Sequence, residues 1–233
     1  MHVTVDELLR DPPAIHGVAD DPRLYGLNAD ALRFIERTVQ PGDATLETGS
    51  GFSTIVFAAS AAAHTCVVSN ADQVSRITAY CERQGMSLDH VSFEVERSEK
   101  VLPRLDRTPL NLVLLDGSHS FPQVFIDWFF VAERLVVGGH IVIDDVHLWT
   151  GKVLRDFLKA EPGWTLVSVL GGRTAAFRKE EGVDVGRDWT RQPYVAARSR
   201  WAVMPKARIV GATLMSGDLA EVGRIVRRVI KGR

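Results

Sequence analysis

Apolar positions change their period several times along the chain. Over residues 30–40, Leu32, Ile35 and Val39 recur at helical spacing, and Pro41-Gly42 stops the helix. Residues 44–48 form a short strand that ends at Gly49. Residues 52–63 are helical and apolar, and 65–69 are a short β-branched run. Residues 71–84 set Val74, Ile77 and Cys81 on one face of an amphipathic helix. Strands are expected at 91–95 and 110–115. The second of these, LNLVLL, is apolar throughout, as in a strand buried on both faces. A helix over 122–135 is expected to stop at Gly138-Gly139. A buried strand over 141–143 then leads to Asp144-Asp145, and a helix covers 151–160. Residues 164–170, Gly171-Gly172 and 174–178 read as strand, turn and strand, a hairpin.

The alternation of strand and helix predicts a parallel α/β sheet with right-handed crossovers, to which the hairpin adds an antiparallel strand. Three parts follow: an N-terminal helical segment (1–40), an α/β domain (41–179) and a C-terminal extension (180–233). Residues 11–30, rich in Asp, Pro and Gly, are irregular. The extension opens with a linker over 180–188. It ends in a basic helix over 219–230 that carries Val222, Ile225, Val226 and Val229.

Composition narrows the class. The chain has 233 residues, 45% hydrophobic and 24% charged, ordinary values that exclude a mostly disordered, collagen-like or disulfide-stapled chain. Net charge is −1, so no global field draws it to nucleic acid or anionic lipid. The charge is uneven, with 17 basic and 23 acidic side chains in 1–179 against 11 and 6 in 180–233. The Val and Ile spacing in that basic tail reads as a packing or dimer helix with a solvated face rather than a nucleic-acid arm. Homo-oligomerisation would run through this extension or the N-terminal segment. Cys66 and Cys81 form no Cys-x-x-Cys pair and read as reduced structural thiols. The N-terminus has no apolar signal region, and no apolar run approaches the ~18 residues of a membrane span. The expected location is the cytoplasm.

The first chemical signal is Glu47-Thr48-Gly49-Ser50-Gly51-Phe52-Ser53-Thr54. An acidic residue ends a strand, two glycines allow a tight turn, and a helix opens with its amides exposed. Ligands of open α/β sheets bind at this edge. Thr54 stands where a dinucleotide fingerprint has its third glycine, and no Gly-Lys-Ser/Thr follows to make a P-loop. A carboxylate here would repel a pyrophosphate and suits an ammonium or hydroxyl groups. A bare strand–helix turn remains the alternative.

Glu47-x-Gly49-x-Gly51 with Ser53-Thr54 resembles motif I of class I S-adenosylmethionine-dependent methyltransferases, and the similarity runs over about residues 26–178. It implies a Rossmann-like sheet with parallel strands in the order 3-2-1-4-5. It also implies a cofactor held by Glu47, Gly49, Ser50, Gly51, Ser53 and Thr54. The family's ribose-binding acid is missing after the second strand, where Asn70 reads as a helix cap. Asp72, two residues late, is the ribose candidate. Ser98, after the third strand, is the adenine candidate, and a solvated turn is the alternative there.

Asp116-Gly117-Ser118-His119 follows the fourth strand, and Asp144-Asp145-Val146-His147 follows the fifth. With those strands adjacent, three carboxylates crowd one edge, and an oxygen-rich set of this kind suits Mg²⁺ or another divalent cation. Capping or core roles are the alternatives for each residue alone. The pattern resembles the metal-dependent sugar O-methyltransferases of macrolide biosynthesis, with catechol O-methyltransferase related in its metal arrangement. Carried over, Asp116, Asp144 and Asp145 hold the metal, with Asp116 also against the cofactor, and His119 is the general base. A hydroxyl is a poor nucleophile until it loses its proton, and an imidazole can accept one near neutrality.

The expectation is methyl transfer from S-adenosylmethionine to a small-molecule hydroxyl with divalent assistance. Nucleic acid is not the expected partner. The rivals are a metal-independent methyltransferase, a nicotinamide oxidoreductase and a non-catalytic binding or assembly protein. Trp149, Trp189, Tyr194 and Trp201 hint at an aromatic or sugar ring in the acceptor.

Overall fold

The computed structural model describes residues 3–16 and 26–199. The expected helix over 219–230 and Trp201 lie outside the described residues. The chain divides into two compact units, up to Gly186 and from Arg187.

The first unit is built on seven strands: β1 (Ala44–Thr48), β2 (Ala63–Val68), β3 (Val91–Val95), β4 (Leu110–Leu115), β5 (Leu135–Ile143), β6 (Trp164–Leu170) and β7 (Thr174–Lys179). They form one sheet in the order β3-β2-β1-β4-β5-β7-β6. The first five strands in that order are parallel, while β7 runs antiparallel to both β5 and β6. The hairpin therefore folds back so that its second strand lies beside β5. Its turn falls at the carboxyl edge of the parallel strands, beside the ends of β4 and β5.

Helices α1 (Val5–Arg10), α2 (Ala29–Thr38), α3 (Phe52–Ala59) and α4 (Ala71–Arg83) pack in sequence over one face. Leu8, Leu32, Ile35, Ile55, Phe57 and Ile77 fill the core between them and the sheet. Each such side chain contributes about 1.5–3 kcal/mol by leaving water. Alternate residues of β4 serve the two faces. Leu112 and Leu114 join this core, and α5 (Ser98–Val101), α6 (Gln123–Val131) and α7 (Trp149–Ala160) pack together on the other side. Trp128 of α6 meets Phe157 of α7 edge-on there.

Local sequence explains several boundaries. Thr4 and Glu7 close a reciprocal capping box on α1, in the pattern Thr-x-x-Glu. Asn70 caps α4 as expected, accepting from the Asp72 amide at 2.9 Å. Cys66 and Cys81 are both buried thiols. Burial, with Glu47 beside it, pushes the Cys66 thiol well up. Burial alone pushes Cys81 to about 11.

Two expectations are corrected. The helix over 122–135 ends earlier, and Gly138-Gly139 lie inside β5 rather than after a helix. Leu135 already pairs with Leu110. The register then shifts, and a Cβ on Gly139 would come 2.8 Å from the Asn111 carbonyl. Gly139 is there because the irregular strand presses against β4, and Gly138 because its φ is +85°. Residues 180–186, expected to open the extension, pack on the first unit: the Glu180 amide donates to the Gly163 carbonyl at 2.9 Å, and the Val185 amide to Glu133 at 3.4 Å. The described part of the second unit holds a 3-10 turn, Trp189–Arg191, capped by Asp188, and a helical run over 193–199.

Candidate active site

A cavity of about 620 Å³ opens at the carboxyl ends of β1 to β4. This is where open α/β sheets bind ligands, and the volume suits a nucleoside-sized molecule. Gly49 and Ser50 form part of its wall, with Ser69, Gln73, Ser98, Asp116, His119 and Gln123.

Gly49 is fixed by two conditions at once. Its φ is +90°, and a Cβ there would sit 2.1 Å from the Asp116 carbonyl oxygen. The turn passes so close to the end of β4 that only a hydrogen fits. The Asp116 amide donates to the Thr48 carbonyl at 3.0 Å, stitching the two strand ends together.

Glu47, expected as a direct cofactor ligand, is buried and does not line the cavity. Side chains alternate along a strand, and Glu47 shares the Thr45 face, turned beneath the loop and fully buried. There it accepts from Ser53 Oγ at 2.6 Å and from Thr54 Oγ1. His64 Nε2 lies 3.2 Å from the same carboxylate, and its Nδ1 lies 2.9 Å from Thr45 Oγ1. The His64 ring stacks on Phe57 at 4.2 Å. Ser53 and Thr54, also expected at the cofactor, turn inward to satisfy Glu47. The Gly51 amide donates to Thr54 Oγ1 at 3.1 Å. These residues shape the loop from below. Among the described residues, Glu47, His64 and Cys66 are also the group whose ligand atoms lie within 4.8 Å of one another. Each already has hydrogen-bond partners in this closed network.

Asp72 is exposed in the first turn of α4 and lies outside the cavity lining. Its neighbour Gln73 lines the cavity instead, accepting from Ser50 Oγ at 2.9 Å and lying 3.0 Å from His16 Nδ1. Ser98 lines the cavity as expected and donates to Asp127 at 2.7 Å. Gln123 Nε2 donates to both, at 2.9 and 3.1 Å. His16, Gln73 and Gln123 went unread in the sequence. No spacing rule joins residues so far apart along the chain.

The acids and His119 meet at the ends of β4 and β5, with an arginine among them. Asp144 is buried and accepts from Thr174 Oγ1 and from Arg173 Nη2, the latter at 2.8 Å. The same Nη2 lies 3.0 Å from Asp145 Oδ1. Asp145 Oδ2 lies 3.1 Å from His119 Nε2, and His147 Nδ1 lies 3.6 Å from Oδ1. Asp145 holds φ at 51°, a left-handed conformation uncommon outside glycine that is often found where a side chain must be aimed. Asn28, the cap of α2, donates to Thr174 at 2.6 Å and so extends the chain of bonds away from the site. Burial holds the Asp116 carboxyl well above the usual carboxylate range. Asp144, Glu47 and Asp145 raise it further, and Arg173 opposes them.

Against the expected divalent ion, this donor set does not fit as it stands. Both oxygens of Asp144 and both of Asp145 already face a proton donor, and the guanidinium is the positive charge between them. The lining does fit S-adenosylmethionine. It offers hydroxyl, amide and carboxyl groups for an amino acid moiety and a ribose diol, and a glycine turn that lets the ligand meet backbone.

Residues 46–146 match a family described as a methyltransferase domain. No curated protein matches the chain. Solved structures resemble its fold at low identity. One is the O-methyltransferase TomG from Streptomyces achromogenes, involved in tomaymycin synthesis, in complex with SAM. It is 16% identical over 67% of this chain and 82% of its own, with a TM-score of 0.57. Cofactor-bound Rv0187 from MTB is 20% identical over 76% and 97%, with a TM-score of 0.56. A putative rRNA methylase from Clostridium thermocellum is 15% identical over 66% and 95%, with a TM-score of 0.54. Residues 46–146 thus resemble a methyltransferase domain, and the first unit shares the fold of these solved structures.

Proposed function

We propose that this chain methylates a hydroxyl of a small molecule, with His119 as general base. The observation that carries the reading is the His119–Asp145 pair at the rim of the cofactor cavity, 3.1 Å apart. A carboxylate on Nε2 fixes the tautomer that leaves Nδ1 to accept a proton, and it stabilises the imidazolium that results.

S-adenosylmethionine supplies an electrophilic methyl group: as an acceptor oxygen bonds to it, the methyl–sulfur bond breaks and its electron pair stays on sulfur. The chain's residues do the rest. Gly49, Ser50, Ser98 and Asp116 hold the cofactor, with Gln73 in the part expected of Asp72. Glu47, Gly51, Ser53 and Thr54 keep the loop in shape from beneath. His119 takes the hydroxyl proton, so the oxygen attacks as it becomes anionic. Asp116, whose carboxyl is raised well above the usual range by burial and by the neighbouring acids, is suited to hydrogen-bond the acceptor. Because the displacement is in line, holding the reactants in place supplies much of the rate.

Phe121 and Trp149 support a ring-bearing acceptor. They are 64% and 65% exposed, with ring centroids 5.7 Å apart. They stand beside His119, whose carbonyl accepts from Thr150 at 2.7 Å. An RNA acceptor, as the names of some fold neighbours suggest, is less well supported: residues 1–179 are net acidic, and RNA binding draws on clustered basic side chains.

Incubation with S-adenosylmethionine and a panel of phenols, hydroxylated sugars and rRNA tests the reading, with mass spectrometry locating the added methyl. A methyl ether on a small molecule is the expected product. Methylation confined to RNA, or to nitrogen or carbon, would overturn it.

A further inference from the structure

We propose that Arg173 is the resident cation of this site, held where metal-dependent enzymes of this reaction type keep a divalent ion, and that the chain works without such an ion. The inference rests on the methyl-transfer reading of the cavity. Its basis is local. One guanidinium nitrogen serves Asp144 at 2.8 Å and Asp145 at 3.0 Å. Thr174 occupies the remaining Asp144 oxygen, and His119 the remaining Asp145 oxygen.

A divalent ion at these carboxylates would sit against the guanidinium and would have to strip donors from them. An arginine cannot step aside by losing its proton, because it stays charged at every pH of interest. Nor is its position accidental. It follows the Gly171-Gly172 turn, where both glycines have positive φ. The Val146 amide donates to its carbonyl at 2.8 Å, so its backbone is tied to the loop that carries Asp145. Arg173 is thus a positioning residue. It neutralises the paired acids and holds Asp145 toward His119, and it leaves the acceptor to be oriented by protein groups alone.

Manganese titration of the full chain with S-adenosylhomocysteine present, followed by the EPR signal of the unbound ion, tests this. Wild type should bind no Mn²⁺ at the site, and EDTA should leave both S-adenosylhomocysteine affinity and methyl transfer unchanged. Arg173→Ala should gain one Mn²⁺ per chain, and adding Asp144→Asn should remove it again. Arg173→Gln keeps hydrogen bonds without the charge and should gain the ion too, which guards against a misfolded alanine variant. Arg173→Lys should still exclude it. Equal Mn²⁺ binding by wild type and the uncharged variants, whether one ion or none, overturns the proposal. If S-adenosylhomocysteine still binds in that case, the methyl-transfer reading stands. If the wild type does not bind it, that reading fails instead.

Discussion

Replacing His119 by alanine lowers the rate of methyl transfer by roughly 10²–10⁴-fold, the range of a lost general base, and leaves S-adenosylhomocysteine affinity unchanged. The side chain reaches the cavity rim from the loop after β4 and is half exposed, so its removal leaves no core void. The split between turnover and cofactor binding is what identifies the role. A parallel loss of both would mean that His119 builds the pocket rather than moving a proton. Asp145→Asn gives a second reading of the same pair. It keeps the shape but weakens the hold on the imidazole, so turnover falls while the fold survives. Asp145 also faces Arg173, so this variant disturbs two neighbours and its effect will not be additive with that of His119.

Gly49→Ala is the most damaging single methyl the fold can receive near the site. The added carbon would overlap the Asp116 carbonyl oxygen at 2.1 Å and its carbon at 2.8 Å. Both belong to backbone, so no rotamer change relieves the contact. The φ of +90° adds strain of its own. The expected cost is on the order of 3–5 kcal/mol, with cofactor binding lost as the ends of β1 and β4 separate. Gly42 is the internal control. Its φ is +85°, but nothing lies within 4 Å of its Cβ position. Gly42→Ala therefore carries only the conformational penalty, about 1 kcal/mol. Thermal denaturation of the two variants isolates the close approach from the dihedral. Similar melting temperatures would mean that the turn relaxes and that Gly49 is not needed for space.

The alternation of strand and helix is legible in the sequence and predicts a parallel sheet, with β4 an apolar run; the order 3-2-1-4-5 follows from the resemblance. β1, β3 and β4 fall on the expected residues. The strand's own period accounts for the burial of Glu47. Glu47 lies on the Thr45 side of β1, so the hydroxyls of Ser53 and Thr54 and the imidazole of His64 become its partners. Thr48, one residue on, faces the cavity. Gly138-Gly139 looked like a helix stop because glycine pairs punctuate helices more often than they fill strand irregularities.

Arg173 is the instructive omission. The sequence predicts a hairpin that adds an antiparallel strand to the sheet. With its second strand, β7, antiparallel to β5, the turn lies at the carboxyl edge of the parallel sheet, beside Asp144 and Asp145. The arginine after Gly171-Gly172 meets them there. The sequence left open which strand the hairpin joins, and with it the neutralising charge. The acids alone read as a metal site, and the structure adds Arg173 between Asp144 and Asp145. His16 and Gln73 illustrate the same limit. Their 3.0 Å contact joins residues 57 apart in the chain, and only the folded packing of the N-terminal segment on α4 creates it.

Calorimetric titration of S-adenosylhomocysteine into the full chain, with NAD as the comparison ligand, tests the central claim most directly. The account predicts one S-adenosylhomocysteine bound per chain, no heat from NAD, and loss of the binding in Gly49→Ala with retention in His119→Ala. Absence of S-adenosylhomocysteine binding by the folded wild type, or preference for NAD, would contradict it.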